Sequence, residues 1–310
     1  MSAANTMYST SDPRSKLTSG SATTGKAVSA SGFGPSHYVL FGSTPPQIDD
    51  ETGQTWFGRG QNFIVAYTRA KPGATFERKK QVDEYVLLIE EQDVPATISA
   101  NGETQSVPGY SIAIVPPGDS SITFPKGGEF VRLFSRDNKD IAALAANAEG
   151  YAEQQPNLPS FQRWPDPPAG FKIRAYSLDV PAQEGRFGRL WRCTTFMVNV
   201  FEPIPPRPTN TLSPHHHDDF EQCSLALGGS YVHHLRWPWT SDQADWRDDE
   251  HVTCPAPSIA VIPPKSIHTS AAIEPGNDNR LVDIFAPPRH DFSQMEGWVL
   301  NADEYPVPQA

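Results

Sequence analysis

The feature of this sequence that most restricts its fold is an internal repeat. The segment Ser111–Pro117 (SIAIVPP) recurs almost unchanged as Ser258–Pro264 (SIAVIPP). Two further pairs of segments recur in the same order, Phe130–Phe134 with Leu281–Phe285 and Asp83–Tyr85 with Phe220–Gln222. Three pairs of similar segments, in the same order and at similar spacing, are more than the chance similarity of a single strand would explain. The repeat therefore predicts a duplicated domain, with two related units in tandem.

Each unit is predicted to consist of short strands. The chain holds 31 prolines and 22 glycines against 4 methionines, which favours short segments joined by turns. Runs of β-branched and aromatic residues, such as Asn62–Tyr67 and Tyr85–Ile89, are separated by turn residues such as Asn101-Gly102. This indicates an all-β fold of antiparallel sandwiches or barrels. Strong helix formers between 138 and 154 predict one helix, and a proline-rich linker follows over 156–168.

The predicted organisation has five parts. They are a flexible arm over 1–35, an N-terminal barrel over 36–136, a helix and proline-rich linker over 137–170, a C-terminal barrel over 171–300 and a tail over 301–310. The arm is rich in Ser, Thr, Ala and Gly and cannot bury enough apolar surface to offset its ordering entropy. The alternative is a strand or lid that docks on a neighbour. The acidic segment 241–250 is expected to be a solvated loop or a lid over a pocket.

Charge and cysteine content exclude several classes of partner and location. A net charge of −11 argues against a nucleic-acid or anionic-membrane partner, because both attract cationic surfaces. Three cysteines are too few for a disulfide framework and indicate a reducing compartment. The sequence has no apolar run resembling a signal peptide or membrane helix. We therefore expect a soluble, cytoplasmic protein.

Eight of the nine histidines lie between His215 and His290, in the second unit. His215 and His217 are two residues apart, so on a strand they face the same side with Cα atoms roughly 6.6 Å apart. Glu221 follows after a possible turn, and His268 lies just past the repeated strand. Three imidazoles and one carboxylate suit a divalent first-row metal ion. These four residues are the predicted metal ligands.

These residues resemble the two motifs of the cupin superfamily. The first motif is His-x-His, three or four residues, Glu, six residues and Gly, and the positions that satisfy it are His215, His217, Glu221 and Gly228. In the second, Pro263 and His268 match, and Lys265 replaces a glycine. The resemblance covers residues 37–300 and implies a bicupin, two double-stranded β-helix barrels in one chain. It implies one divalent metal ion, with Fe²⁺ favoured over Mn²⁺, Ni²⁺ or Zn²⁺.

The first unit lacks most of the corresponding ligands. Arg78 and Lys80 stand at the His-x-His positions, and Glu84 is the matching glutamate. We therefore expect no metal in the N-terminal barrel and a structural or dimerising role for it. The alternative is a pocket in which these three residues hold an anionic ligand.

Two further residues are predicted to be catalytic from the register of a hairpin. If Gly228-Gly229 is a two-residue turn, Glu221 lies opposite Arg236, and His234 also faces inward with the metal ligands. Arg236 would then hold a substrate carboxylate or phenolate, or else form a salt bridge. Slipping the turn by one residue reverses the assignment and points His233 inward instead.

The resemblance implies a metal-dependent enzyme with a small-molecule substrate. The first hypothesis is a mononuclear non-haem dioxygenase acting on a small oxygenated or aromatic compound, with Glu221 as fourth ligand or base. The alternatives are a metal-dependent isomerase or epimerase, and a non-catalytic bicupin binding protein. A homodimer is possible.

Overall fold

Short strands make up most of the computed structural model, which describes residues 12–16, 33–155, 158, 160–218 and 220–308. The first eleven strands are β1 (His37–Leu40), β2 (Ile48–Asp50), β3 (Gly53–Arg59), β4 (Phe63–Ala70), β5 (Ala74–Gln81), β6 (Tyr85–Ile89), β7 (Ala96–Ala100), β8 (Glu103–Val107), β9 (Ser111–Val115), β10 (Gly118–Phe124) and β11 (Gly128–Ser135). The remaining nine are β12 (Arg174–Ser177), β13 (Arg189–Arg192), β14 (Met197–Val200), β15 (Glu221–Gly228), β16 (Ser230–Arg236), β17 (Glu250–Pro255), β18 (Ser258–Ile262), β19 (Ile267–Ala272) and β20 (Arg280–Ala286).

Helices are few and short. The α-helices are α1 (Lys139–Ala142) and α2 (His290–Ser293), and the 3₁₀ turns are Pro13–Lys16, Ala148–Tyr151, Gln243–Asp245 and Ala302–Glu304. The helix predicted over 138–154 is therefore present only as α1 and one 3₁₀ turn. No helix in the described ranges is long and apolar enough to cross a membrane.

The strands form two antiparallel barrels, one in each half of the chain. The N-terminal barrel combines a seven-stranded sheet, in the order β12-β9-β6-β11-β4-β3-β2, with a four-stranded sheet β5-β10-β7-β8. The C-terminal barrel combines a six-stranded sheet, β1-β18-β15-β20-β14-β13, with a three-stranded sheet β17-β16-β19. The predicted all-β fold of two tandem barrels is confirmed.

The two halves of the chain exchange one strand each. Strand β1 pairs with β18, with Val39 opposite Ile259, although the sequence places this segment in the N-terminal barrel. Strand β12 pairs with β9 of the N-terminal barrel, with Ala175 opposite Ala113. Each exchanged strand covers the edge of a sheet that would otherwise leave its backbone groups unpaired. The exchange ties the two barrels together.

The largest apolar cluster lies between the barrels. Val86 and Leu88 of β6 pack in it together with Cys223 and Leu225 of β15. Because side chains alternate along a strand, the residues between them face the interior of their own barrel. Whether a residue is an even or an odd number of positions from these core residues, its parity, therefore fixes which side of the strand its side chain lies on.

The interior of the N-terminal barrel is filled with aromatic rings. Phe124 stacks on Phe130 with ring centroids 4.0 Å apart, and the Arg132 guanidinium lies 4.8 Å from the Phe76 ring centroid. The hydroxyl of Tyr85 lies 3.0 Å from Ser120 Oγ. Such packing is typical of a structural core.

Part of the arm predicted to be flexible docks on the C-terminal barrel. The Pro13–Lys16 turn places Arg14 Nη2 3.2 Å from Ser213 Oγ and its guanidinium 4.5 Å from the Phe187 ring centroid. This matches the alternative expectation of a docking segment for residues 12–16. The rest of the arm up to residue 32 lies outside the described residues.

Candidate metal centre

Three histidines meet at one end of the C-terminal barrel. A pair of backbone hydrogen bonds joins His215 to His268, with N–O distances of 3.0 and 2.8 Å. The ring centroids of these two residues are 4.5 Å apart, and those of His217 and His268 are 5.0 Å apart. The amide of Lys265 donates to the carbonyl of His217 at 2.7 Å. Residues distant in sequence are thus held together, as the motifs predicted.

Backbone carbonyls orient two of the imidazoles. Nδ1 of His215 lies 2.8 Å from the carbonyl of Ser213, and Nδ1 of His268 lies 3.0 Å from the carbonyl of Ser266. A carbonyl only accepts, so both Nδ1 atoms carry the proton, and Nε2 is the nitrogen of each ring that can bind a metal ion. Backbone carbonyls commonly orient metal-binding histidines in this way. Nε2 of His268 is buried and has no hydrogen-bond partner.

Burial keeps the three imidazoles neutral. It is the largest cause that lowers the pKa of each, well below the usual value for His215 and His217 and to about 4 for His268. For His215 and His217 the next cause is the neighbouring His268. Only neutral imidazole binds a metal ion, so the centre is in the ligand form at neutral pH.

The three imidazoles are candidate ligands by their chemistry, but their present geometry does not form a metal-binding group. In the part of the chain that the structure describes, no three His, Cys, Asp or Glu side chains are close enough to hold an ion as they stand. The His217 ring stacks on Phe220, with centroids 4.1 Å apart. Neither of its ring nitrogens makes a hydrogen bond of good geometry, although both are buried. A metal ion shared by the three residues would require this ring to turn one nitrogen towards those of His215 and His268.

Glu221 points away from the three histidines. Its carboxylate accepts hydrogen bonds from the amide of Gln61 at 2.8 Å and the amide of Asn62 at 3.1 Å, both in the N-terminal half of the chain. A Cβ at Gly60 would collide with the same carboxylate. Glu221 shares the parity of Cys223, which faces the other barrel. The predicted role of Glu221 as ligand or base is incompatible with this geometry.

Gln222 takes the inward position beside the histidines instead. Its side-chain amide donates to Ser224 Oγ at 3.1 Å, and Ser224 donates to Asp283 at 2.8 Å. A signal for this was present in the sequence. The first cupin motif permits four residues before its acidic position, and that spacing leads to Gln222, with Gly229 six residues beyond. This chain therefore carries an amide where the motif carries a carboxylate.

The hairpin predicted at Gly228-Gly229 is wrong. Strand β15 pairs with β18 and β20, whereas β16 pairs with β17 and β19, so the two glycines connect different sheets. The predicted pairing of Glu221 with Arg236 does not exist. Arg236 is exposed and forms an ion pair with Asp249 at 2.6 Å. His234 also faces outward and contacts His251.

His233 faces the barrel interior in place of His234. It is 1% exposed and lies opposite Ser270, two residues along β19 from His268, a step of roughly 6.6 Å. Its Nδ1 is 2.8 Å from Ser270 Oγ, and its Nε2 has no partner. The hydroxyl of the neighbouring Tyr231 is also buried without a partner. Unpaired polar atoms thus line the interior below the three histidines.

Three charged residues near the centre, Asp283, Arg14 and Arg289, were not predicted from the sequence. Burial raises the pKa of Asp283 to about 6, against the hydrogen bond from Ser224 and the charges of Arg14 and Arg289. After burial, the same two arginines are among the causes that lower the pKa of His268. Arg289 pairs with Asp291 at 2.5 Å. The centre therefore combines a buried carboxyl with two cations close by.

Comparison with known proteins agrees with this architecture. No protein-family model and no curated protein matches the sequence. The oxalate decarboxylase of Lactobacillus farciminis, solved as a formate complex, superposes with a TM-score of 0.55 and 17% identity, covering 84% of this chain and 88% of that one. A variant of the Bacillus subtilis oxalate decarboxylase gives 0.52 and 16%, covering 81% and 77%. AerE from Microcystis aeruginosa gives 0.50 and 8%, covering 82% and 98%.

These similarities establish the fold. The chain has the bicupin fold, two β-barrels of the cupin type in one polypeptide, which is the fold that the resemblance of its motifs implied. The motif histidines lie in the C-terminal barrel alone.

Proposed function

We propose that the C-terminal barrel is the active site of a metal-dependent enzyme. His215, His217 and His268 hold one divalent first-row transition metal ion, with Fe²⁺ ahead of Mn²⁺, Ni²⁺ and Zn²⁺. The observation that carries this proposal is the pair of buried imidazoles anchored through Nδ1, of which His268 leaves an unpartnered Nε2. The amide oxygen of Gln222 is available as a further neutral ligand.

The first candidate reaction is dioxygenation of a small oxygenated or aromatic compound. When bound, the metal supplies Lewis acidity and a meeting place for substrate and dioxygen. The unpartnered His233 Nε2 and Tyr231 hydroxyl orient the substrate by hydrogen bonds. Asp283, buried and hydrogen-bonded through Ser224, replaces Glu221 as the group that accepts a substrate proton.

A second candidate is oxygen-independent chemistry on a small carboxylate. The charges of Arg14 and Arg289 reach the centre from two different segments, and guanidinium groups bind carboxylates well. Two of the similar structures are oxalate decarboxylases. In this case the arginines bind the substrate and Asp283 moves the proton.

One set of assays separates these candidates. Protein purified without chelator is analysed for metal and assayed with catechol, with a β-diketone and with oxalate, in air and under nitrogen. Oxygen consumption with catechol or the diketone supports the first candidate, and oxygen-independent release of CO₂ from oxalate supports the second. His217→Ala is expected to lose metal and turnover, whereas His216→Ala, on the adjacent half-exposed residue, keeps both. Full activity without metal contradicts the proposal.

A further inference from the structure

A pair of histidines outside the barrel forms a separate feature of the C-terminal half. His234 on β16 and His251 on β17 are direct cross-strand neighbours. Their Nδ1 atoms are 2.7 Å apart, and their ring centroids are 4.9 Å apart. His234 is half-buried and His251 is exposed, so both rings are open to solvent. Neither belongs to the centre described above.

The spacing of the two nitrogens matches that of two adjacent ligands of one metal ion. With metal–nitrogen bonds of about 2.0–2.1 Å, ligands at right angles place their nitrogens about 2.9 Å apart. The observed 2.7 Å is close to this value. Right-angled nitrogen ligands are typical of square-planar or octahedral Cu²⁺ and Ni²⁺, and Cu²⁺ binds nitrogen sites most tightly among the first-row divalent ions.

The surroundings allow an ion to bind. At 2.7 Å one Nδ1 donates to the other. Binding an ion would replace this hydrogen bond: the donor would carry its proton on its own Nε2, and both rings would turn their Nδ1 lone pairs towards the ion. On the other side of His234, Thr269 lies directly opposite on β19, and its buried hydroxyl has no hydrogen-bond partner. That hydroxyl is available to a water bound to the ion. The ion pair of Arg236 with Asp249 lies two residues from His234 and from His251 along their chain segments.

We propose that His234 and His251 form a second metal site, a surface chelate for Cu²⁺ or Ni²⁺ that is independent of the three-histidine centre. The strand register holds the two residues side by side, because β16 lies between β17 and β19, with His234 opposite His251 on one side and Thr269 on the other. The antiparallel pairing thus lowers the entropy that would be lost in bringing the two side chains together on a metal ion.

The test titrates Cu²⁺ alone into full-length protein carrying His217→Ala, which removes one ligand of the barrel centre. We expect one Cu²⁺ bound with two nitrogen ligands in the electron paramagnetic resonance spectrum. Adding His234→Gln should weaken Cu²⁺ binding at least tenfold and abolish that spectrum. Adding His216→Gln instead, a control on another solvent-accessible histidine, should change neither. Circular dichroism checks that the variants are folded.

Two outcomes overturn the proposal: equal Cu²⁺ affinity with and without His234, or a spectrum that only His216→Gln alters. Failure of the barrel centre gives a different pattern. In that case the protein without substitutions and the His217→Ala protein bind the same single Cu²⁺, and His234→Gln removes it from both.

Discussion

Glu84 and Glu221 occupy equivalent positions in the two barrels, and each carboxylate accepts hydrogen bonds from a loop of the opposite half. Glu84 accepts from the amide and hydroxyl of Thr194 at 3.1 and 3.0 Å, as Glu221 accepts from the amides of Gln61 and Asn62. Tyr305 donates a further hydrogen bond to Glu84 at 2.7 Å. The glutamate retained in both copies therefore joins the barrels.

Asparagines continue this pseudo-symmetry. Asn147 accepts from the amide of Arg59 and donates to its carbonyl, and Asn301 does the same with Arg192. Equivalent loops thus carry equivalent contacts in the two halves. The duplication preserved the interface between the barrels while their interiors diverged.

Removing the Glu84 carboxylate should destabilise the protein. Glu84→Ala leaves the Thr194 amide and the Tyr305 hydroxyl buried without an acceptor, at about 1–3 kcal/mol for each unpaired group. Denaturant unfolding at pH 7 measures the loss. The control is Glu129→Ala, which breaks an exposed ion pair with Arg69 and should cost less than about 1 kcal/mol. Equal losses in both variants would contradict the role assigned to Glu84.

Stability should fall as the pH rises through the titration of Glu221. Burial raises the pKa of Glu221 to about 7, against the amides of Gln61 and Asn62. Between about pH 4.5 and 7 the folded protein binds more protons than the unfolded chain, so this contribution is complete below pH 4.5 and lost towards pH 7. It amounts to at most about 3 kcal/mol. Glu221→Gln should flatten the unfolding free energy across this range, and an unchanged slope would refute the assignment.

Metal binding should depend on the histidines and not on Glu221. We expect His268→Ala to lower bound metal at least tenfold, because it removes an anchored ligand, whereas Glu221→Gln keeps the metal content of the original protein. Elemental analysis and competition with a chromogenic chelator measure both. Loss of metal in Glu221→Gln, with folding intact, would restore the glutamate as a ligand.

His233 should matter for turnover and His234 should not. His233→Gln keeps a polar group in the barrel but removes the imidazole Nε2, and we expect turnover to fall at least tenfold with metal content unchanged. His234→Gln, one residue away on the outer face, is the matched control and should retain turnover. The reverse result would support the register that the sequence first predicted.

If the substrate is a carboxylate, Arg14 should affect its binding. Arg14→Gln removes a guanidinium that pairs with Asp12 and whose charge reaches the centre. Loss of a hydrogen bond to a charged group costs about 1.5 kcal/mol or more, which corresponds to a tenfold rise in KM. Steady-state assays with oxalate measure this. The control is Arg163→Gln, on an arginine that pairs loosely with Asp166 at 3.8 Å. Equal KM values in both variants would exclude Arg14 from substrate binding.

The sequence was a reliable guide wherever the information was local or repeated. The duplicated segment at Ser111 and Ser258 predicted two related barrels, and strand periodicity predicted their all-β nature. The histidines at 215, 217 and 268 meet as the motif spacing implied. All three cysteines are free and buried.

The direction of side chains was decided by pairing between distant strands. A change of one residue in spacing moves a side chain to the opposite face of a strand, so the motif alone did not separate Glu221 from Gln222. For His233 and His234 the decision depended on β16 joining a different sheet from β15. The exchange of β1 and β12 likewise follows from edges that exist only in the folded protein.

The sequence alone thus determined that the chain forms two barrels and that three imidazoles meet in the second one. It could do so because repeats, turn residues and strand periodicity act over short stretches of chain. Only the tertiary structure decided that Glu221 joins the barrels, that Gln222 and His233 face the centre, and that Arg14 comes close to it. Those assignments depend on contacts between segments far apart in the chain. Such contacts contribute to stability only when folding has brought both segments together.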